Sequence, residues 1–416
     1  MSEISRLLSL NEKANKMLSS AHSKIEWESM DENSDLPDQK VIDDSIGPYS
    51  VYVHLPFCER YCTFCGCNTS ITGDHSWEDR YIKLLEIEKR HRFGEDFQMK
   101  AKRLVLAGGT PTFFSTKSLK RLLKTFFVDE SVDHYTTIEI DPRYCSHEHI
   151  EFFGDHSFSQ FKLALVDINS EVQKLIGRRT DRVLLETVCE QLSEQKGSLQ
   201  VEWLLGLPGQ NDQSQAENLN LLKQMVPDEV VINRFIQVPW LKDHQKSYSS
   251  KDIPSEEQVG SWEQMWIEQL VKLGYTPLGF GAWVKNETAK FPWSKSESRI
   301  SKDLSGLYPF KMDTLLGFGV GAQSMGVDRV SRNYSALPVY QREIERGHTA
   351  VEKVGHYSEA GLLANQTTNQ VLNYSLEELK AMNRDWEISD QYLKHFSPLF
   401  IALKAGLIKK EQILNE

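Results

Sequence analysis

Four cysteines fall within ten residues, in the order Cys58-Glu-Arg-Tyr-Cys62-Thr-Phe-Cys65-Gly-Cys67, and no other feature restricts the fold and chemistry so strongly. They follow the β-forming run Ser50–Leu55 (SVYVHL), which stops at Pro56. The C-x₃-C-x₂-C spacing puts three thiolates on one tight loop. Three thiolates cover three irons of a 4Fe–4S cubane and leave the fourth iron open to another ligand. A structural zinc site wants a fourth donor, which Cys67 could supply, but zinc motifs favour paired C-x₂-C knuckles over three cysteines in a single loop. Disulfide frameworks belong to small secreted chains. This chain has 416 residues, and its first stretch, MSEISRLLSLNEKANK, lacks a signal-peptide pattern, which predicts a cytoplasmic protein. Cys145 and Cys189 lie in ordinary patterned sequence and read as buried or incidental thiols.

The net charge of −11 argues against broad binding to nucleic acid or to anionic membrane. Residues 1–20 have helical spacing of Ile4, Leu7, Leu8, Leu10 and Leu18, whereas 24–46 carry eight acidic residues and read as an exposed arm. From Ser50 onward strand and helix alternate. Strands are expected at Ser50–Leu55, Arg103–Leu106, Thr136–Ile140, Phe161–Val166, Leu199–Leu205 and Glu229–Ile236. Six such units predict a parallel α/β sheet curved into an open three-quarter (β/α)₆ barrel, with ligands at the C-terminal ends of its strands. The organisation expected is an N-terminal helix and acidic arm over 1–48, a (β/α)₆ core over 49–280, an extension over 281–335 in which the Gly-rich run Leu316–Gly326 forms a loop, and a small, mostly helical C-terminal domain over 336–416.

Ala107-Gly108-Gly109-Thr110-Pro111 follows the second strand. Two glycines there allow the backbone to approach a ligand closely. Together with the cysteines, this turn, IEIDPR (138–143), NSEVQKLIGR (169–178), LLGLPGQ (204–210) and LLGFGVGAQSM (315–325) resemble, in order, the blocks of the HemN family of radical S-adenosylmethionine (SAM) enzymes. Cys67, which completes C-x₃-C-x₂-C-x-C, resembles the oxidase branch of that family rather than its haem-chaperone branch.

The resemblance implies a 4Fe–4S cluster on Cys58, Cys62 and Cys65 with SAM on its open iron. It implies contacts of the first SAM at Tyr52, Gly108, Glu139 and the backbone near Gln323. Contacts of a second SAM are implied at Phe64, Gly109, Thr110, Arg178 and Glu202. Cys67, Glu139 and Arg178 would be the catalytic residues. The reaction implied is an oxidoreduction in porphyrin and haem biosynthesis, the oxidative decarboxylation of coproporphyrinogen III to protoporphyrinogen IX. It calls for an electron donor such as flavodoxin or ferredoxin, and for a monomer free of membrane and nucleic acid. Val166 stands where the family usually has a glutamine, and Glu202 where it has an aspartate. These departures keep open a family member with another substrate, such as a two-SAM C-methyltransferase, a cyclopropanase or a haem-ring-opening enzyme. A haem chaperone is the third class, although Arg332-Asn333-Tyr334-Ser335-Ala336-Leu337 lacks the His and Trp of that branch's haem motif.

Overall fold

In the computed structural model the described residues are 25–29, 49–95, 99, 101–126, 134–285, 290, 301–303, 305–309, 312, 314–326 and 328–357. In chain order the strands are β1 (Ile25–Ser29), β2 (Ser50–Leu55), β3 (Phe57–Cys58), β4 (Ser70–Ile71), β5 (Arg103–Gly108), β6 (Tyr135–Ile140), β7 (Gln160–Val166), β8 (Ser198–Leu205), β9 (Glu229–Arg234), β10 (Tyr275–Gly279) and β11 (Ala282–Lys285). They continue with β12 (Ser301–Asp303), β13 (Gly306–Tyr308), β14 (Leu315–Phe318), β15 (Gln323–Met325), β16 (Arg329–Asn333) and β17 (Val351–Tyr357). The helices are α1 (Ser76–Phe93), α2 (Thr116–Phe126), α3 (His147–Asp155), α4 (Ser170–Leu175), α5 (Arg182–Ser193), α6 (Asp212–Met225), α7 (Glu256–Lys272) and α8 (Leu337–Glu345). None is long and apolar enough to cross a membrane.

All six expected strands form. β2, β5, β6, β7, β8 and β9 pair in that order, all parallel, with helices on each crossover. Side chains alternate across such a sheet. Val51, Val53, Leu55, Leu104, Leu106, Ile138, Ile140, Leu163, Val201, Trp203 and Leu205 are buried within one apolar core. Their neighbours in sequence, among them Tyr52, His54, Arg103, Glu139, Lys162 and Glu202, face the other way and make a polar inner face. The β12–β13 hairpin packs on that face. Arg103 meets Asp303 at 2.9 Å and lies over the Tyr308 ring, and Lys162 donates to Ser305 O.

Two expectations need correction. The Gly-rich run is β14 and β15, not a loop, and β14 adds a seventh parallel strand beside β2. Gly317 makes this possible, because a Cβ there would strike the Gln323 backbone at 2.2 Å. Likewise, the segment read as an exposed arm contains β1, which pairs antiparallel with β17. The acidic residues on this stretch signalled solvent, but Ile25 and Trp27 alternate with them and supply one apolar face. The sheet thus extends through β14, β15, β16, β17 and β1.

The expected N-terminal helix lies outside the described residues, as do 358–416 of the expected helical C-terminal domain. Of that domain's described part, α8 packs on the core while β17 joins the large sheet.

Glu88 of α1 fastens the extension to the core. It is fully buried and accepts from Gly319 N–H at 2.8 Å, Asn333 Nδ2 at 2.7 Å and Tyr340 OH at 2.6 Å, with Arg92 at 3.3 Å. Burial pushes this carboxyl up, and those partners oppose the shift.

Candidate active site

The cysteine loop leaves β2 at Pro56 and lies at the C-terminal ends of the parallel strands, where α/β sheets place their ligands. Phe57 roots it in a cluster of Trp77, Tyr81, Phe113 and Phe114, with ring centroids 5.4–5.8 Å away. Thr63 N–H donates to Ile176 O at 2.9 Å and its hydroxyl to Leu175 O at 3.1 Å. The segment after β9 closes the loop from the other side. Lys242 Nζ donates to Cys67 O at 2.6 Å, His244 Nε2 to Cys65 O at 2.7 Å and Gln245 Nε2 to Phe64 O at 2.9 Å. His244 also stacks on Tyr61.

None of the four thiols is in a disulfide, and each of the three proposed ligands has a polar partner. Cys58 Sγ lies 3.2 Å from Thr110 Oγ1. Cys62 Sγ faces two guanidiniums, Arg143 Nη2 at 3.5 Å and Arg178 Nη1 at 3.8 Å. Cys65 Sγ accepts from Cys67 N–H at 3.4 Å. Cys67 lowers the Cys65 thiol further through its side chain, while burial opposes the shift. Burial pushes the Cys58 thiol up to about 11, so a metal must displace its proton. Among the described residues no three His, Cys, Asp or Glu side chains converge on one ion. A cubane takes each thiolate on a separate iron, and three thiolates leave its fourth iron open. The donor set and its hydrogen-bond donors therefore fit a three-thiolate cluster on Cys58, Cys62 and Cys65.

Asp141 organises the cations beside Cys62. It is buried at the end of β6 and receives Arg143 Nη2 and Arg178 Nη1, each at 2.7 Å. Burial pushes its carboxyl up, but Arg178 and Arg143 outweigh burial and hold it below the usual range. Arg178 Nη2 donates to Ala164 O at 2.6 Å, and its buried Nε has no partner among the described residues.

On the inner face Gly108 N–H donates to Glu139 Oε2 at 3.2 Å. Gly108 has φ +120°, and a Cβ there would meet the His54 ring at 2.5 Å. At Gly109 a Cβ would meet the Pro56 backbone at 2.7 Å. The space both glycines leave is thus filled by the chain that carries the cysteines. The turn is pinned there by Gly109 N–H to Leu55 O and Thr110 N–H to Phe57 O.

His54 Nε2 donates to Asn68 O at 2.7 Å, which leaves Nδ1 to accept from Tyr52 OH at 3.0 Å. The ring is neutral, and burial lowers its pKa from 6.5 to about 4. The unfolded chain therefore binds a proton at higher pH than the native one. Stability from this site is complete above 6.5 and is lost as pH falls toward 4, a loss of about 3 kcal/mol. Denaturant unfolding across that window should show a shallower slope for His54→Gln than for the parent. An equal slope would remove His54 as its source.

The structure brings Tyr52, Gly108 and Glu139 together, and Glu139 adds to the rise that burial imposes on the Tyr52 hydroxyl. Glu202 is raised first by enclosure, with Asn233 Nδ2 donating to it at 2.5 Å against that shift. Phe64 packs against Val166, Val172, Ile176 and Leu207. Val166 is buried at φ +74°, a conformation a β-branched residue rarely adopts. It lies at the irregular end of β7, where the register with β8 shifts. Gln323 stands on β15, two strands from Tyr52. Sequence reasoning missed His54, Asp141, Arg143 and the clasp formed by Lys242, His244 and Gln245.

The family model of the radical SAM superfamily matches residues 52–222. The oxygen-independent coproporphyrinogen III oxidase of Synechocystis sp. is 27% identical over 377 residues, covering 87% of this chain and 80% of that protein. The Escherichia coli enzyme of the same name is 26% identical over 372 residues, covering 88% and 81%. The solved structure of E. coli coproporphyrinogen III oxidase (HemN) superposes with a TM-score of 0.72 at 25% identity, over 82% of this chain and 79% of that one. With a three-thiolate loop at the mouth of an open α/β barrel, the chain carries a radical SAM match over residues 52–222 and is similar, over most of their length, to the HemN-type coproporphyrinogen III oxidases.

Proposed function

We propose that this protein carries out the oxidative decarboxylation of coproporphyrinogen III to protoporphyrinogen IX. The observation that carries the reading is the four-cysteine loop with Cys67 beside Cys65, set at the mouth of a sheet that matches the coproporphyrinogen oxidase relatives over four fifths of their length. Each of two propionate arms would give a β-hydrogen atom to the adenosyl radical, release carbon dioxide and one electron, which balances the electron that cleavage of SAM consumes, and become a vinyl group.

Cys58, Cys62 and Cys65 hold the cluster, and the bound cluster with SAM supplies a hydrogen-abstracting adenosyl radical. The protein's own part is placement. Gly108 N–H fixes Glu139, whose other oxygen can accept from ribose hydroxyls, and Tyr52 and the Gln323 backbone line the same face. Phe64, Gly109, Thr110, Arg178 and Glu202 border the second SAM. There the unpartnered Nε of Arg178 is the donor left for a ligand. Cys67 stays outside the cluster and acts on the substrate side. Four closely spaced free thiols call for a reducing compartment, so we place the protein in the cytoplasm. We expect it to work there as a monomer reduced by a flavodoxin or ferredoxin.

Val166 favours a second reading, a family member with another substrate. Its apolar side chain is buried in the cluster that packs against Phe64, where a glutamine would offer a hydrogen bond. One assay separates the two. Protein reconstituted anaerobically and given SAM, dithionite and coproporphyrinogen III should yield protoporphyrin fluorescence after oxidation. SAM cleavage without porphyrin turnover would establish the second reading. Haem binding without SAM cleavage would instead identify a haem chaperone.

A further inference from the structure

The sheet extension carries a cavity of about 260 Å³ whose lining includes Trp27, Gln323, Met325, Val330, Arg332 and Tyr357. It shares a rung of the sheet with the candidate site. Tyr52 pairs with Gly317, Gly317 packs against the Gln323 backbone, and Gln323 pairs with Arg332. Three strand spacings put Arg332 about 14 Å from Tyr52 along the sheet.

Arg332 is under-satisfied. Its buried Nε has no acceptor among the described residues, and Glu352 approaches Nη2 only to 3.5 Å. The Tyr357 hydroxyl is likewise buried without a partner there. Trp27, brought in by β1, lies under the guanidinium at 5.6 Å and holds it in place. Apolar walls with one cation and one hydroxyl donor match an arm of methylene groups that ends in a carboxylate.

We propose that this cavity takes a propionate arm of the tetrapyrrole substrate, with Arg332 as its carboxylate anchor. The proposal rests on the function proposed above and names where that substrate is gripped away from the reacting arm. Glu352 then competes weakly with the ligand for the same guanidinium.

The test uses the full chain and coproporphyrin III, the stable oxidised form, with its tetramethyl ester as the uncharged probe. Arg332→Met should bind coproporphyrin III roughly tenfold more weakly, and the ester with the parent's affinity. Glu352→Gln should bind coproporphyrin III more tightly than the parent, an outcome that a merely structural role for the pair would not give. Unchanged coproporphyrin affinity in Arg332→Met, or weakened binding in Glu352→Gln, overturns the proposal while the function stands. A parent protein that neither binds coproporphyrin nor turns over coproporphyrinogen overturns both.

Discussion

Cys62→Ala protein, reconstituted anaerobically with iron and sulfide, should carry almost no cluster and show no SAM cleavage, whereas the parent should hold about four irons per chain. Of the three ligands, Cys62 has the largest expected effect because of its surroundings. It is the most buried of the three thiols and the one set against both Arg143 and Arg178. Both guanidiniums point hydrogen-bond donors at the sulfur. Removing the sulfur leaves one iron corner with neither a ligand nor a nearby replacement. Cys67 is bound into the loop through its carbonyl, held by Lys242, and through its N–H, directed at Cys65. Cys67→Ala should accordingly keep its full iron content while losing turnover. The fold should survive both changes, because the loop is anchored by Phe57 and Thr63 rather than by sulfur. Iron analysis, the visible absorbance of the cluster and far-UV circular dichroism read these outcomes. A Cys62→Ala variant with parental iron and SAM cleavage would remove this thiol from the ligand set.

Elements whose deciding contacts are local are legible in the sequence, and those set by distant contacts are not. The six parallel strands could be read because each is a short run of β-formers ended by Pro, Gly or a polar turn, and the core side chains alternate as that pattern requires. The cysteine loop could be read because its four cysteines lie on one continuous turn. β1 could not, since its partner β17 is more than 300 residues away and nothing within an acidic stretch announces that pairing. β14 was hidden for a different reason. Glycines signal turns, yet Gly317 is there to let two strands close on each other. The same ambiguity touched Gly108 and Gly109, where close approach was anticipated but the approaching object proved to be His54 and Pro56. Asp141 stands in the sequence only as one residue of the block IEIDPR (138–143). Its partnership with Arg178, 37 residues on, is visible only in three dimensions.

That partnership yields the second large effect. Asp141→Asn should destabilise the cluster-free protein by about 3–5 kcal/mol, the usual consequence of removing one member of a buried ion pair. Asp141 is buried between two guanidiniums whose side chains are only 8% and 13% exposed. Its removal leaves both cations without a carboxylate beside a thiol, and asparagine can offer only one neutral carbonyl in exchange. Arg178→Met should cost a similar amount, since Asp141 then keeps Arg143 alone and Ala164 O loses its donor. The diagnostic variant is the double one. If the two residues act as a pair, Asp141→Asn with Arg178→Met should be less destabilised than the sum of the single changes, because each single change counts the same broken interaction. Chemical denaturation of the four proteins in one buffer measures the coupling. Additive losses, or single losses within 0.5 kcal/mol of the parent as for ordinary surface substitutions, would mean that the cations beside Cys62 are held by the surrounding backbone and not by Asp141.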